Sequence, residues 1–375
     1  MKEIRVGFVK RDQNWNRNIL CHEYSRIRLV QVYPLSRLLH SLLRRFGLQS
    51  AFLENTYFGP TVRHVDVLHT WRMLCITRRP WVVVTSVGLP FGWPKKYWNY
   101  AFRTMAGDTC RRILFNSHHA LEWQQRKLGQ WPLLSERIIS KCEILPTPQH
   151  AIVKDVREKS VPSDRIVLTF VGHHFFRKGG PAVMEGVEVA IRSGVPIHLN
   201  VVSRVKKDEF SGVSDSEVTA WQRRLKSTPW VTWYPELPNT QVLDLFRSSH
   251  AGILLSFAEA YGYSVLEAQA AGCATITSDI GALPELNEPG CGWILPIKYL
   301  GFDIYNSPSL RKVHEALTKE LGHLLCQVGS DSARFLQRGA AALSRILRVH
   351  DPAAHKRRLE SLYLEIVNSC TKSVN

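Results

Sequence analysis

A strand, a loop and a helix rich in small residues follow one another between positions 250 and 273. The stretch His250-Ala-Gly-Ile-Leu-Leu-Ser256 is short and apolar, as is typical of a buried strand. Alanines dominate the helical segment that ends at Gly272. In open α/β sheets, ligands bind beyond the carboxyl ends of the strands, where the next helix offers its free N–H groups. The segment therefore predicts an α/β fold with a ligand at this loop.

Two carboxylates flank the predicted start of this helix. Glu259 falls in the loop and Glu267 about one turn into the helix, with Gly262, Tyr263 and Ser264 between them. Glu267 has apolar neighbours, so its carboxylate needs a partner if the helix is buried; otherwise it is an ordinary carboxylate on a helix face. Acceptors at two depths with backbone N–H groups between them suit a ligand with hydroxyls at two places and phosphate in the middle. A nucleotide sugar fits that description.

Three segments resemble motifs of one enzyme family, in the same order along the chain. They are Leu168-Thr-Phe-Val-Gly-His-His-Phe-Phe-Arg-Lys-Gly-Gly180, Glu259-Ala-Tyr-Gly-Tyr-Ser-Val-Leu-Glu267 and Ala274-Thr-Ile-Thr-Ser-Asp-Ile-Gly-Ala-Leu-Pro-Glu285. The second is similar to the E-x7-E element of retaining glycosyltransferases with the GT-B fold, in the large family four group. The resemblance covers roughly residues 165–300, and the first half of the chain matches only in outline.

The resemblance implies roles for individual side chains. Arg177 and Lys178 follow a strand and the turn at Gly172, where two cations neutralise the diphosphate of a leaving nucleotide. Taken alone, an Arg-Lys pair is more typical of a solvated surface. By resemblance, Glu259 approaches the hydroxyls of the donor sugar, and Glu267 binds the ribose. The predicted donor-binding residues are thus Gly172, Gly262, Tyr263, Ser264 and Glu267, with no metal and no cofactor beyond the nucleotide-sugar co-substrate.

Strand and helix patterns alternate through both halves, which predicts doubly wound parallel sheets. The predicted strands of the first half are Ile4–Val9, Ser50–Leu53, Val65–His69, Trp81–Thr85 and Arg112–Asn116. A polar segment at 149–164 is the best linker candidate. We therefore predict an acceptor domain at 1–160 and a donor domain at 161–347. By resemblance these are two Rossmann-like domains facing across a cleft, and the helix at 348–375 crosses back to the first domain.

The chain is strongly basic, with a formal net charge of +17. Nucleic acid is the usual partner of a basic protein, but no known nucleic-acid-binding module is recognisable. In residues 35–46, leucines at helical spacing lie opposite arginines; residues 95–103 interleave basic and aromatic side chains. Both patterns fit an anionic membrane surface, but the first also fits an ordinary helix packed on a core, and the second an ordinary solvated basic face. No apolar run is long enough to span a membrane, and eight scattered cysteines favour a reduced, cytoplasmic protein.

These observations favour a retaining glycosyltransferase that moves a sugar from a nucleoside-diphosphate sugar to a hydroxyl of a saccharide or lipid-linked acceptor. The basic first half favours an acceptor in cell-surface polysaccharide or lipopolysaccharide biosynthesis, with peripheral contact to the inner face of the cytoplasmic membrane. Three alternatives stay open at this point. They are another GT-B enzyme such as a sugar-nucleotide epimerase, a non-catalytic sugar-binding protein that keeps the fold, and a basic nucleic-acid binder.

Overall fold

The chain divides into two compact units. The computed structural model describes residues 3–9, 13–47, 50–207, 212–301 and 307–372. One unit combines Met1–Pro148 with His350–Asn375, and the other is Gln149–Val349. Each unit has its own six-stranded sheet and its own hydrophobic core, so each is described by itself.

The sheet of the first unit is entirely parallel, in the order β2-β1-β3-β4-β5-β6. Its strands are β1 (Ile4–Phe8), β2 (Ile27–Gln31), β3 (Val67–Trp71), β4 (Trp81–Thr85), β5 (Cys110–Phe115) and β6 (Cys142–Ile144). Every residue of β3 and β4 is buried, as expected of central strands covered on both faces. The predicted strand at 81–85 is confirmed to the residue, while the edge strand β2 was not predicted.

Helices connect these strands. They are α1 (Gln13–Asn18), α2 (Leu35–Arg45), α3 (Ala51–Asn55), α4 (Pro60–Arg63), α5 (Trp98–Ala106), α6 (His118–Leu128) and α7 (Pro132–Ile139). The predicted strand Ser50–Leu53 is wrong, because this segment forms α3. The Ser50 hydroxyl accepts a hydrogen bond from the Leu53 N–H at 3.4 Å and caps the helix. Ser117 caps α6 in the same way, by accepting from the Ala120 N–H.

The second unit repeats the plan, with a parallel sheet in the order β12-β11-β10-β7-β8-β9. Its strands are β7 (Ile166–Val171), β8 (Ile197–Val202), β9 (Val231–Tyr234), β10 (Ala251–Leu254), β11 (Ala274–Ser278) and β12 (Gly292–Leu295). This is the strand order of the doubly wound nucleotide-binding fold. The chain turns outward in opposite directions from the two middle strands, β7 and β10, so the switch point of the sheet lies between them.

Among the described residues, the second unit has seven α-helices. They are α8 (Gly180–Arg192), α9 (Asp215–Ser227), α10 (Asn239–Arg247), α11 (Tyr263–Ala270), α12 (Leu283–Leu286), α13 (Ser307–Val328) and α14 (Ser332–Val349). The segment 149–160, predicted to end the first domain, belongs to this unit instead. The reason is local hydrogen bonding: the Ile152 N–H donates to the Ala270 carbonyl at 2.8 Å, and the Lys159 ammonium donates to the Ala271 carbonyl at 2.6 Å.

The last helix, α15 (Pro352–Lys372), packs on the sheet of the first unit. The Arg358 guanidinium makes two hydrogen bonds to the Glu143 carboxylate, at 2.5 and 2.6 Å. The Tyr363 hydroxyl lies 2.6 Å from Nδ1 of His69, on the buried strand β3. Side-chain contacts therefore fix α15 to the first unit.

The apolar face of α2 points to solvent. We call this set the α2 apolar face: Leu35, Leu38, Leu39, Leu42 and Phe46, which are all exposed, Phe46 by 80%. A core-facing role for this helix, one of the two interpretations of its sequence, is therefore wrong. None of the described helices is long and apolar enough to cross a membrane. All eight cysteines lie within the described residues, and none of them forms a disulfide.

Candidate active site

Two loops meet at the switch point of the second sheet. One follows β7 and runs from Gly172 to Gly179; the other follows β10 and runs from Leu255 to Gly262. The Phe257 N–H donates to the Arg177 carbonyl at 2.9 Å, which ties the loops together. Because β7 and β10 are neighbours in the sheet, the side chains of both loops converge at the position where ligands bind in this fold.

Two glycines allow the first loop to turn tightly. Gly179 has a φ of +79°, and a Cβ there would lie 2.1 Å from the Leu255 carbonyl oxygen. A Cβ at Gly172 would lie 2.9 Å from Cγ of Lys178. Gly179 therefore tolerates no side chain, and at Gly172 a Cβ would displace the Lys178 side chain, which packs against the backbone that follows β7. Gly180 then begins α8.

Lys178 and Glu259 form a salt bridge across the switch point, from the Lys178 ammonium to Oε2 of Glu259. Their side chains are only 16% and 10% exposed. The other carboxylate oxygen of Glu259 accepts from the backbone N–H groups of Ala260 at 3.1 Å and Tyr261 at 3.4 Å. Both oxygens are therefore held, and the carboxylate has a fixed orientation within its own loop.

A third loop, which follows β11, contacts the backbone of the loop that carries Glu259. Gly281 follows β11, with a φ of +62°, and a Cβ at this position would lie 1.9 Å from the Glu259 carbonyl oxygen. The Ser278 hydroxyl, at the end of β11, donates to the Ser256 carbonyl at 2.7 Å. The loop that carries Glu259 thus rests on the backbone of the third motif found in the sequence.

Glu267 lies in α11, which begins one residue after Gly262. Gly262 precedes the helix with a φ of +105°, so the turn into α11 favours glycine. Tyr263 and Ser264 are the first two residues of α11, where helical N–H groups have no intrahelical partner. Glu267 is only 5% exposed, and its Oε1 accepts from the Asn239 amide at 3.0 Å.

Asn239 is a site residue that sequence reasoning missed. It is the first residue of α10, directly after Pro238, and no motif of the chain includes it. The only sequence signal is its place at the start of a helix that follows a strand, β9. Its partner Glu267 is 28 positions away, so the contact depends on the packing of α10 against α11.

A buried histidine braces the start of β10. His250 is only 1% exposed. Its ring Nδ1 accepts from the Val167 N–H at 3.0 Å, and its backbone N–H donates to the Val167 carbonyl at 2.8 Å. Burial, with a smaller contribution from the nearby charge of Lys159, lowers the pKa of His250 to about 4. The imidazole is therefore neutral at neutral pH and serves as an acceptor between the two strands that carry the site.

Comparison with known proteins agrees with this architecture. Residues 153–298 match the family model described as glycosyl transferases group 1. A D-inositol 3-phosphate glycosyltransferase from Segniliparus rotundus is 28% identical over 123 residues, which are 33% of this chain and 26% of the relative. The match thus spans about a quarter of the length of that curated relative.

Solved structures match over nearly the whole chain. A glycosyltransferase from Rickettsia africae superposes with a TM-score of 0.62 at 13% identity and covers 98% of both chains. Anabaena HepE, solved in complex with UDP and glucose, superposes with a TM-score of 0.56 at 13% identity, covering 89% of this chain and 85% of HepE. The chain therefore has the GT-B fold, with two Rossmann-like units, and its second unit is similar in sequence to the glycosyl transferases group 1 family.

Proposed function

We propose that the chain is a retaining glycosyltransferase that transfers a sugar from a nucleoside-diphosphate sugar to a hydroxyl. The observation that carries this proposal is the Lys178–Glu259 ion pair at the switch point, with Glu267 buried in the adjacent helix. A relic that only binds sugar would be free to lose these charges. The group 1 match over residues 153–298 supports the same conclusion.

In the proposed reaction, the bond between the anomeric carbon and the leaving diphosphate oxygen breaks. A bond from the acceptor oxygen to that carbon forms on the same face, so the α configuration is kept. The acceptor proton passes to the leaving phosphate, which removes the need for a separate base. Arg177 and Lys178 stabilise the charge that develops on the diphosphate, a role that fixed cations perform efficiently in a site shielded from water.

Each remaining site residue has a proposed role in binding the donor. Glu267, already oriented by Asn239, accepts hydrogen bonds from the ribose hydroxyls. Glu259 faces the hydroxyls of the donor sugar, and N–H groups at the start of α11 bind sugar or phosphate oxygens. With two cations at the diphosphate, we propose that the reaction needs no metal. HepE, of the same fold, has been solved with UDP and glucose, which supports a nucleotide-sugar donor here.

A screen by thermal shift tests this proposal. Purified full-length protein is heated with UDP-, GDP-, ADP- and dTDP-sugars in the presence of EDTA, and a donor well above its Kd raises the Tm. We expect a rise with one nucleotide class. If a well-folded protein responds to none of these donors, with or without added Mg²⁺ and Mn²⁺, the transferase proposal is wrong, and a non-catalytic protein or a nucleic-acid binder takes its place.

For the acceptor, we propose a saccharide or lipid-linked molecule at an anionic membrane, as in cell-surface polysaccharide or lipopolysaccharide biosynthesis. The α2 apolar face supports this, because soluble proteins rarely expose contiguous apolar patches. Arg44 and Arg45 are exposed at the end of the same helix. A cavity of about 420 Å³ is lined by Arg44 and Tyr97, next to the exposed Lys95 and Lys96. Leucines flanked by cations match the acyl boundary and phosphates of an anionic bilayer.

A further inference from the structure

Away from the proposed donor site, a cysteine and two histidines lie close together in the first unit. Cys21 and His22 follow α1, and His355 lies near the start of α15. One ligand atom from each, the Sγ of Cys21 and a ring nitrogen of each histidine, falls within 4.8 Å of the other two. His355 is 5% exposed, and the other two side chains are half-buried.

The spacing of the two ring nitrogens suits a small tetrahedral cation. Nε2 of His22 lies 2.8 Å from Nδ1 of His355, and the two rings are 5.1 Å apart between centroids. Zinc–nitrogen bonds of about 2.0–2.1 Å in a tetrahedron separate two ring nitrogens by roughly 3.3 Å. A shift of a few tenths of an ångström therefore converts the hydrogen-bonded pair into a pair of ligands, with the cation in place of the shared proton.

The type of donor atom selects the ion. A thiolate with two imidazoles is a borderline-soft set that prefers Zn²⁺ and binds Mg²⁺ or Ca²⁺ poorly. Three protein ligands leave one tetrahedral position for water. The Tyr24 hydroxyl is buried without a hydrogen-bond partner among the described residues, and the Tyr24 ring packs edge-on against His22 at 5.8 Å. Its hydroxyl is a suitable partner for such a water.

We propose that Cys21, His22 and His355 form a zinc site that fastens α15 to the connection between β1 and β2. The site is independent of the proposed donor chemistry, since all three ligands belong to the first unit. Metal binding would hold the end of the chain in place, in addition to the contacts that Arg358 and Tyr363 already make.

Titration of the full-length, metal-stripped protein with Zn²⁺, followed by calorimetry, tests the proposal. We expect one ion per chain and a rise in Tm, because the ion binds the folded state. In Cys21→Ser and His22→Gln, affinity should fall at least about tenfold, as loss of even an outer partner of a metal ligand costs 10–100-fold. Cys142→Ser is the control: Cys142 lies in the same unit, is also half-buried, and shares with Cys21 a pKa raised to about 12 by burial.

Cobalt supplies a second readout that does not depend on stability. Co²⁺ bound to the wild-type protein should show a thiolate-to-metal charge-transfer band that Cys142→Ser retains and Cys21→Ser loses, while circular dichroism verifies folding. Because His22 is half-buried, His22→Gln remains informative if Cys21→Ser does not fold. No saturable binding to the wild type, equal affinity in Cys21→Ser, or a cobalt complex without the thiolate band would each overturn the proposal.

Discussion

Lys178 and Glu259, 81 positions apart in the sequence, form an ion pair directly over the switch point of the second sheet. Both side chains are largely buried, so removal of either one leaves an uncompensated charge next to the site. The pair keeps the ammonium in a fixed position before any ligand arrives. A diphosphate that approached Lys178 would meet a cation already oriented, which is the condition for efficient electrostatic catalysis.

The close approach of Gly281 to the Glu259 backbone predicts a large effect of Gly281→Ala. A methyl group at this position would overlap the Glu259 carbonyl oxygen, which lies 1.9 Å from the ideal Cβ, so the loop must move. We expect turnover to fall at least about tenfold, since a displacement of about 1 Å at a site can cost 10²-fold. Steady-state kinetics with the donor identified by the screen measure this effect.

Gly301→Ala is the matched control. Its φ of +57° is close to the +62° of Gly281, so both alanines cost about 1–2 kcal/mol of backbone strain. A Cβ at Gly301, however, meets no atom of the described residues within 4 Å. Equal losses of activity in the two variants would show that strain, rather than displacement of the Glu259 loop, explains the result.

Asn239→Leu should weaken donor binding more than it slows the reaction. The variant removes the amide that donates to Glu267 but keeps a side chain of similar size. A hydrogen bond to a charged group contributes roughly 1.5–3 kcal/mol, so KM for the donor should rise about 10–100-fold with a smaller change in kcat. Gln241→Ala, which changes an exposed residue two positions further along the same helix, is the control. An unchanged KM in Asn239→Leu would remove Asn239 from the account of donor binding.

Most of the second unit could be predicted from its sequence, because its central strands β7 and β10 are short apolar runs. The predicted strand at 250–256 contains β10, and the helix predicted to carry Glu267 is α11. The hydrophobic pattern and the motifs of the sequence could not reveal the Lys178–Glu259 ion pair or the Asn239–Glu267 hydrogen bond. Both join segments that are distant in sequence, and only the order of the strands brings them together.

The first unit was harder to predict for identifiable physical reasons. At Ser50–Leu53, an apolar tetrapeptide suggested a strand, but the Ser50 cap begins a helix. At α2, amphipathic spacing indicated a helix without saying whether its leucines face a core or solvent, and the structure exposes them. Edge strand β2 mixes arginine and glutamine with apolar residues, so it lacks the continuous apolar run of the central strands.

The exposed leucines predict binding to anionic vesicles. Wild-type protein should co-sediment with vesicles containing phosphatidylglycerol and much less with pure phosphatidylcholine. The double variant Leu38→Ser/Leu42→Ser should lose at least about tenfold in partitioning, because a buried leucine contributes roughly 1.5–3 kcal/mol. Leu347→Ser, which changes an exposed leucine of the second unit, is the control. Undiminished sedimentation of the double variant, or a lipid-free dimer that the double variant dissociates, would contradict the membrane proposal.

Acid should destabilise the second unit through His250. Its pKa is lowered to about 4 in the folded protein, against 6.5 for an unperturbed histidine. The unfolded chain therefore binds the proton first, so stability is full above about pH 6.5 and declines as the pH falls toward 4. In His250→Asn, which keeps an acceptor for the Val167 N–H, the drop in Tm between about pH 7 and pH 5 should be smaller.

The exposed His150 offers the control for this experiment. His150→Asn should leave the pH dependence of Tm unchanged. His69 and His355, whose pKa values burial lowers to about 3, lie in the first unit and contribute equally to all three proteins. A slope in His250→Asn equal to that of the wild type would show that His250 is not the group that titrates.

The most direct test of the central claim is calorimetric titration with the nucleoside diphosphate of the preferred class, combined with turnover of the matching sugar donor. We expect one binding site in the wild type, at least about a hundredfold loss of turnover in Lys178→Ala and Glu267→Ala, and weaker binding of the nucleotide in both. Lys312→Ala, an exposed lysine of α13 in the same unit, should match the wild type. Normal binding and turnover in both site variants, with the fold intact, would contradict the assignment of the donor site.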